Sequence, residues 1–247
     1  MPVESRIDLL CLPCAGASAA MYLRWRRLLP QWLRVVPVEL PGRGARLAEG
    51  FVPDFDTLVS QLCSEQSQAM QGRYVVFGHS MGALLAYGMA RRQKQRGGPM
   101  PQALLLSGSS APSMRDPNRF AGKDNDAALI ADLREQGGTP EEVFESAELM
   151  RLTLDALAAD YQVCQSFRHT EPGVLSVPLH VFAGRQDRID PASMQAWSAE
   201  SSAACTLDWF EGGHFFLRQQ EGPFLESLVR RLAQTTAGGA HAAAALA

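Results

Sequence analysis

The sequence predicts an α/β fold: a mostly parallel central sheet with helices on both faces. Three observations carry that expectation. Short, continuously apolar runs recur along the 247 residues and alternate with helix-like segments; strands buried on both faces read in this unbroken way. No linker and no internal repeat divides the chain. Composition is ordinary, 46% hydrophobic and 20% charged. That suits one large domain able to bury roughly 70% of its extended surface.

The elements follow in order. Ile7 to Leu12 reads as a buried strand, then come a loop and a helix-like stretch from Ala19 to Leu29. Val35 to Val38 is a second strand. Asp54 is a natural N-cap for the amphipathic run to Met70, with Phe55, Leu58, Val59 and Leu62 on one face. Tyr74 to Phe77 is a strand, and Met81 to about Gln95 a helix. Further strands follow at Ala103 to Leu106, Leu179 to Phe182 and Thr206 to Phe210. One interval breaks the rhythm. Residues 108–178 far exceed the dozen or so positions that a crossover needs. They include a helical run from Ala147 to Phe167 and read as a helical lid insertion within a single domain over 1–234. Extra helices packed as ordinary core are the alternative. The tail at 235–247 is low-complexity and expected to be disordered.

Charge excludes some functions. With 23 Lys and Arg against 26 Asp and Glu, the net charge is -3, not the basic excess that general nucleic-acid binding needs. No apolar run is long enough to span a bilayer, and the N-terminus lacks the basic-then-apolar order of a secretory signal. An odd count of five cysteines does not suggest a disulfide framework, so a reducing, cytoplasmic setting is expected.

The chemistry begins at Gly78-His79-Ser80-Met81-Gly82. It matches the G-x-S-x-G nucleophile elbow, a serine on a tight turn between a strand and a helix. An apolar strand precedes it and a helix-competent run follows, as the motif requires. A serine hydroxyl needs a base, and the base an orienting carboxylate, in the chain order Ser, Asp or Glu, His. Of five histidines, His79 adjoins the serine, His169 lies in the insertion, His180 in a strand and His241 in the tail. His214, in a glycine-rich loop directly after the last strand, is the expected base. Asp187, just past the strand from Leu179, is the expected acid. Asp190 precedes Pro191 and reads as an N-cap, and Asp208 lies within a strand. An oxyanion hole needs two donors, assigned to the backbone N–H groups of Met81 and of Ala15 in the loop after the first strand. Cys11-x-x-Cys14 lacks the context of a redox or zinc pair, and Gly42-Arg43-Gly44 is too short for a nucleotide fingerprint. No metal or cofactor is expected.

These motifs resemble the type II (external) thioesterases of non-ribosomal peptide and polyketide synthesis, members of the α/β-hydrolase fold. The likeness rests on Leu12-Pro13-Cys14-Ala15-Gly16, Val38-Glu39-Leu40-Pro41-Gly42-Arg43-Gly44, the serine elbow, Gly184-Arg185-Gln186-Asp187 and Gly213-His214-Phe215-Phe216. The Glu-Leu-Pro-Gly-Arg-Gly segment separates this group from generic esterases. The chain departs at Cys14, where relatives usually carry histidine, and at Ala17, where they usually carry glycine. The resemblance implies hydrolysis of acyl or aminoacyl groups from the phosphopantetheine arm of carrier proteins, which clears misprimed synthetase modules. Apolar residues of the insertion are expected to line the acyl pocket. Two basic clusters, Arg24, Arg26 and Arg27, and Arg91, Arg92, Lys94 and Arg96, are candidates for carrier docking; the second also complements a helix dipole.

Overall fold

The computed structural model describes residues 6–169 and 174–244. Six strands form one sheet in the order β2-β1-β3-β4-β5-β6, and every neighbouring pair is parallel. They are β1 (Ile7–Leu12), β2 (Leu33–Pro37), β3 (Tyr74–His79), β4 (Leu104–Ser107), β5 (Leu179–Gly184) and β6 (Cys205–Phe210). Each expected strand is present, within about two residues at either end.

The unbroken apolar runs have a simple cause: alternate residues enter opposite cores. Leu10, Leu12, Val76, Leu104, Leu106 and Val181 face one side. Leu9, Cys11, Val75, Phe77, Leu105 and Phe182 face the other. The first core is covered by α2 (Phe55–Glu65) and α3 (Met81–Arg96); the second by α1 (Trp25–Leu28), α8 (Phe216–Gln219) and α9 (Glu221–Ala244). Helix α3 is buried without a break from Met81 to Ala90. Asp54 caps α2 as expected, its carboxylate accepting from Thr57 N. Helix α9 carries the chain through much of the low-complexity stretch; residues 245–247 lie outside the described residues.

Two helices are shorter than periodicity suggests. The expected helix from Ala19 to Leu29 is a 3₁₀ turn, Ala19–Tyr22, followed by the single turn α1. Ser18 caps the first piece, and the Tyr22 hydroxyl donates to Leu12 O at 2.9 Å. These bonds re-aim the chain so that Trp25 packs against Tyr22 and Phe77. Helix α2 stops at Glu65, and Met70 is buried from a separate 3₁₀ turn.

Between β4 and β5 lie α4 (Asp126–Gln136), α5 (Glu141–Glu145) and α6 (Ala147–Ser166). Leu129, Leu133, Leu154, Leu157 and Tyr161 form a small core of their own, whereas Val163 and Cys164 join the main one. Asp190 caps α7 (Pro191–Gln195) through Ala192 N, as the Asp-Pro pair predicts.

The strand order reverses at β1: β2 lies on one side of it and β3 on the other. The loops after β1 and β3 therefore diverge and open a crevice, where open α/β sheets place their sites.

Candidate active site

Ser80 stands at the end of β3 with φ 56° and ψ -115°. It is the only non-glycine residue with positive φ among the described residues. Such a conformation costs of order 1–3 kcal/mol and persists only where the surroundings impose it. Here they do. A Cβ at Gly78 would collide with the backbone of Gly82, and one at Gly82 with the carbonyls of Leu12 and Pro13. Ser80 N donates to Ser107 O at 2.7 Å, and Ala83 N to Ser80 O at 3.1 Å. The glycines of the motif are thus the space that the elbow occupies.

His214 and Asp187 come from the neighbouring loops after β6 and β5. Those loops are joined by Arg185 N to Phe210 O (2.9 Å) and Gln186 N to Gly212 O (3.0 Å). A Cβ on Gly184 would press on the carbonyls of Gly212 and Gly213, which explains the glycines in both motifs. The His214 Nδ1 lies 2.8 Å from Asp187 Oδ2, and both side chains are almost fully buried. A carboxylate only accepts, so Nδ1 carries a proton, and in the neutral ring the lone pair is on Nε2. Asp208, the strand carboxylate, is engaged elsewhere by Arg231 and Ser227.

Among the described residues, the Ser80 hydroxyl makes no hydrogen bond to the His214 ring. Such bonds are often long or misaligned before substrate arrives. Gly108, at the end of β4 with φ +57°, lies against both histidine rings. A Cβ there would stand 2.6 Å from His79 Cε1 and 3.5 Å from His214 Cε1. Sequence reasoning missed Gly108; a glycine closing the apolar run Leu104-Leu105-Leu106-Ser107 is the signal that marks it. His79 is wholly buried, with Nδ1 3.0 Å from Ser107 Oγ. Burial, then the neighbouring His214 and Arg218, push its pKa well below the usual histidine value. It is a neutral packing partner beside the His214 ring, 4.9 Å between centroids.

The Met81 N–H opens α3, and the Ala15 N–H sits in the loop after β1. Neither donates a backbone hydrogen bond among the described residues. Both residues line one cavity of about 170 Å³ with Ser80 and Gly108. A second cavity, of about 300 Å³, shares Cys14 and Ala15 with the first and extends toward Leu157, Phe215 and Arg218. The insertion between β4 and β5, the cap, makes a mixed contribution to the first cavity: Met114, Arg115, Arg119, Phe120, Tyr161 and Cys164. The insertion thus brings apolar side chains to this cavity with charged ones among them, while Leu149 and Leu152 face outward, 46% and 42% exposed. Cys11 and Cys14 are buried, and burial raises both thiols, that of Cys14 to about 11. At neutral pH neither is a thiolate. No group of three or more His, Cys, Asp or Glu side chains arranged to hold a metal occurs among the described residues. Of the basic clusters, Arg92 donates to Ser60 Oγ (2.6 Å) and Lys94 to Val174 O (2.5 Å). Arg24 pairs with Glu221 at 3.4 Å, while Arg26 and Arg27 are exposed.

A serine elbow, a loop histidine held by a loop carboxylate and a doubly covered parallel sheet define a serine hydrolase of the α/β-hydrolase type. The family model for the thioesterase domain matches residues 8–235, and the chain belongs to that family. It is a hydrolase acting on thioesters. It is 35% identical over 219 residues to thioesterase PikA5 of Streptomyces venezuelae, covering 88% of this chain and 78% of that protein. To a Brevibacillus parabrevis protein named linear gramicidin dehydrogenase LgrE it is 32% identical over 229 residues, covering 91% and 87%. The solved structure of BorB, a type II thioesterase from the borrelidin biosynthetic cluster, superposes with a TM-score of 0.84 at 35% identity, over 94% of both chains. The resemblance read from the motifs is borne out. No helix among the described residues is long and apolar enough to cross a membrane.

Proposed function

We propose that Ser80, His214 and Asp187 act as a catalytic triad, with the Met81 and Ala15 amides as oxyanion donors. The substrates are acyl and aminoacyl thioesters on the phosphopantetheine arm of carrier proteins, and the role is editing in non-ribosomal peptide or polyketide synthesis. What carries this reading is the Asp187–His214 hydrogen bond of 2.8 Å, set on the same rim of the sheet as the strained Ser80. Free cysteines at all five positions accord with a cytoplasmic setting.

His214 Nε2 takes the Ser80 proton as Oγ bonds to the thioester carbonyl carbon. Charge gathers on the carbonyl oxygen, where the two amides stabilise it without reorganising. The C–S bond then breaks, and His214 returns its proton to the departing sulfur. Water enters, gives a proton to Nε2 and attacks the acyl-serine; collapse restores Ser80 and releases the acid. Asp187 holds the imidazole in the Nδ1–H tautomer and stabilises the imidazolium throughout. A thioester has two limbs, and two cavities meet at Ala15. The smaller one beside Ser80 suits the acyl group, and the more apolar one, which Gly16 and Ala17 also line, suits the thiol arm.

The test is hydrolysis of acetyl- and aminoacyl-loaded carrier protein beside matched oxygen esters. Ser80→Ala is expected to lose ~10⁴-fold or more in rate with an unchanged melting temperature. Substantial residual turnover by that variant, or a clear preference of the wild type for oxygen esters, overturns the reading.

A further inference from the structure

We propose that Glu39 and Arg43, together with Asp160 of the cap helix α6, form a brace that positions the oxyanion loop, so that catalysis requires α6 to be seated. The inference rests on the oxyanion role of Ala15 given above.

Four successive residues, Gly16 to Ala19, are held by three charged side chains. The Gly16 N–H donates to Asp160 Oδ2 at 2.8 Å. Ala17 O accepts from Arg43 Nη1 at 3.4 Å. The Ser18 hydroxyl donates to Glu39 Oε2 at 2.6 Å, and the Ala19 N–H to Glu39 Oε1 at 3.0 Å. Arg43 and Asp160 are themselves joined by two parallel bonds, Nη1 to Oδ2 at 2.5 Å and Nη2 to Oδ1 at 2.7 Å. Both are buried, at 7% and 1% exposure. Gly44 is required at its place because a Cβ there would run into the Glu39 carboxylate. The Glu-Leu-Pro-Gly-Arg-Gly segment, which contributes no group to the triad, thus finds a physical purpose.

Stability alone does not explain the pair. Burial drives the Asp160 carboxyl upward against the pull of Arg43 and the Gly16 amide. Well-packed apolar side chains of similar volume commonly serve as well as a buried ion pair. What the charges add is direction. Asp160 Oδ2 fixes the peptide plane between Ala15 and Gly16, in a turn where Gly16 takes φ +74° and Leu157 of α6 lies 3.3 Å from the place of its absent Cβ. If α6 lifts, Asp160 leaves with it and the loop loses its acceptor. The cap then bears on the oxyanion donor from the adjoining peptide: the Ala15 N–H lies on the Cys14–Ala15 peptide, whose carbonyl accepts from Ala17 N at 3.1 Å.

The experiment pairs Arg43→Met with Asp160→Leu, which removes the charges and keeps the volume. With acetyl-loaded carrier protein, kcat is expected to fall roughly 10- to 100-fold while KM stays within about twofold, as for a misplaced donor. Amide hydrogen exchange in the peptide over residues 13–19 is expected to rise at least several-fold. Should the double variant not fold, Glu39→Ala tests the same loop from its other end, and Glu39→Gln, which keeps an acceptor for Ala19, should recover much of the loss. A folded variant with unchanged kcat, or with unchanged exchange over residues 13–19, overturns the brace. If the wild type hydrolyses no carrier-bound thioester, the functional reading fails separately, and exchange still decides the brace.

Discussion

The elbow and the cap face each other across one small cavity, yet they are fixed by different kinds of contact. Around Ser80 the constraints are backbone against backbone: Gly78 against Gly82, Gly82 against Leu12 and Pro13, Ser80 N on Ser107 O. The cap has its own small apolar cluster and a polar tie centred on Asp132. That carboxylate accepts from Lys123 at 2.6 Å, Gln136 at 2.8 Å and the Tyr161 hydroxyl. Burial works against its charge, but those donors outweigh it and hold its pKa low. Many of the cap's remaining ion pairs, such as Arg151 with Asp126 and Asp155, are exposed and contribute little. The difference teaches where precision resides: the proposed nucleophile sits on rigid backbone, and the facing wall of the cavity hangs on side chains.

Substitutions can break or sharpen that contrast. The largest effect is expected from Gly78→Ala, whose added methyl has only backbone to displace. Unfolding free energy should drop by about 4 kcal/mol or more, or no soluble protein will form. Gly137→Ala at the end of α4 is its counterpart. With φ +70° and open space around it, it should cost only about 1–2 kcal/mol. Acid is expected to strike the sheet before the cap. His180, buried between Thr206 and Thr235, is pushed down to about 4, first by burial and then by Arg231. The unfolded chain takes that proton near pH 6.5, so stability is full above that value and falls as pH drops toward 4. The loss approaches about 3 kcal/mol, and His79 acts in the same direction. Asp132 has its pKa held low, so its contribution fades only below about pH 4. Urea titrations at pH 7 and pH 5 check this, and His180→Gln should flatten the slope. Asp132→Asn should cost roughly 1–3 kcal/mol and speed proteolysis within 115–145, while phosphonate labelling of Ser80 persists. The smallest effect belongs to Leu149→Ser, exposed on α6, within about 0.5 kcal/mol in a melt.

Local chemistry was legible in the sequence; distant pairing was not. All six strands follow from apolar runs, and the caps at Asp54 and Asp190 from one residue and its neighbours. The serine elbow, His214 and Asp187 follow from motifs whose chain order is constrained. The brace had no such signal. Arg43 and Asp160 lie 117 residues apart, and nothing local tells a buried aspartate within an amphipathic helix from a solvated one. The broken helix after Ala19 failed for the same reason, since Tyr22 bonds to a carbonyl of β1 and Glu39 grips Ala19 from beyond β2. Gly108 lay between these cases, at a strand end read only as an end.

Helix α3 is enclosed on all sides for its first ten residues, Met81 to Ala90. On the proposed mechanism the Ser80 hydroxyl is mounted on such a post and has no play: it cannot slide to meet a longer or bulkier guest. Breadth of diet in this enzyme must therefore come from the opposite bank, where side chains can rearrange without disturbing the post. Selection for new substrates in the laboratory should accordingly collect its useful changes in residues 114–164 and leave 78–90 untouched.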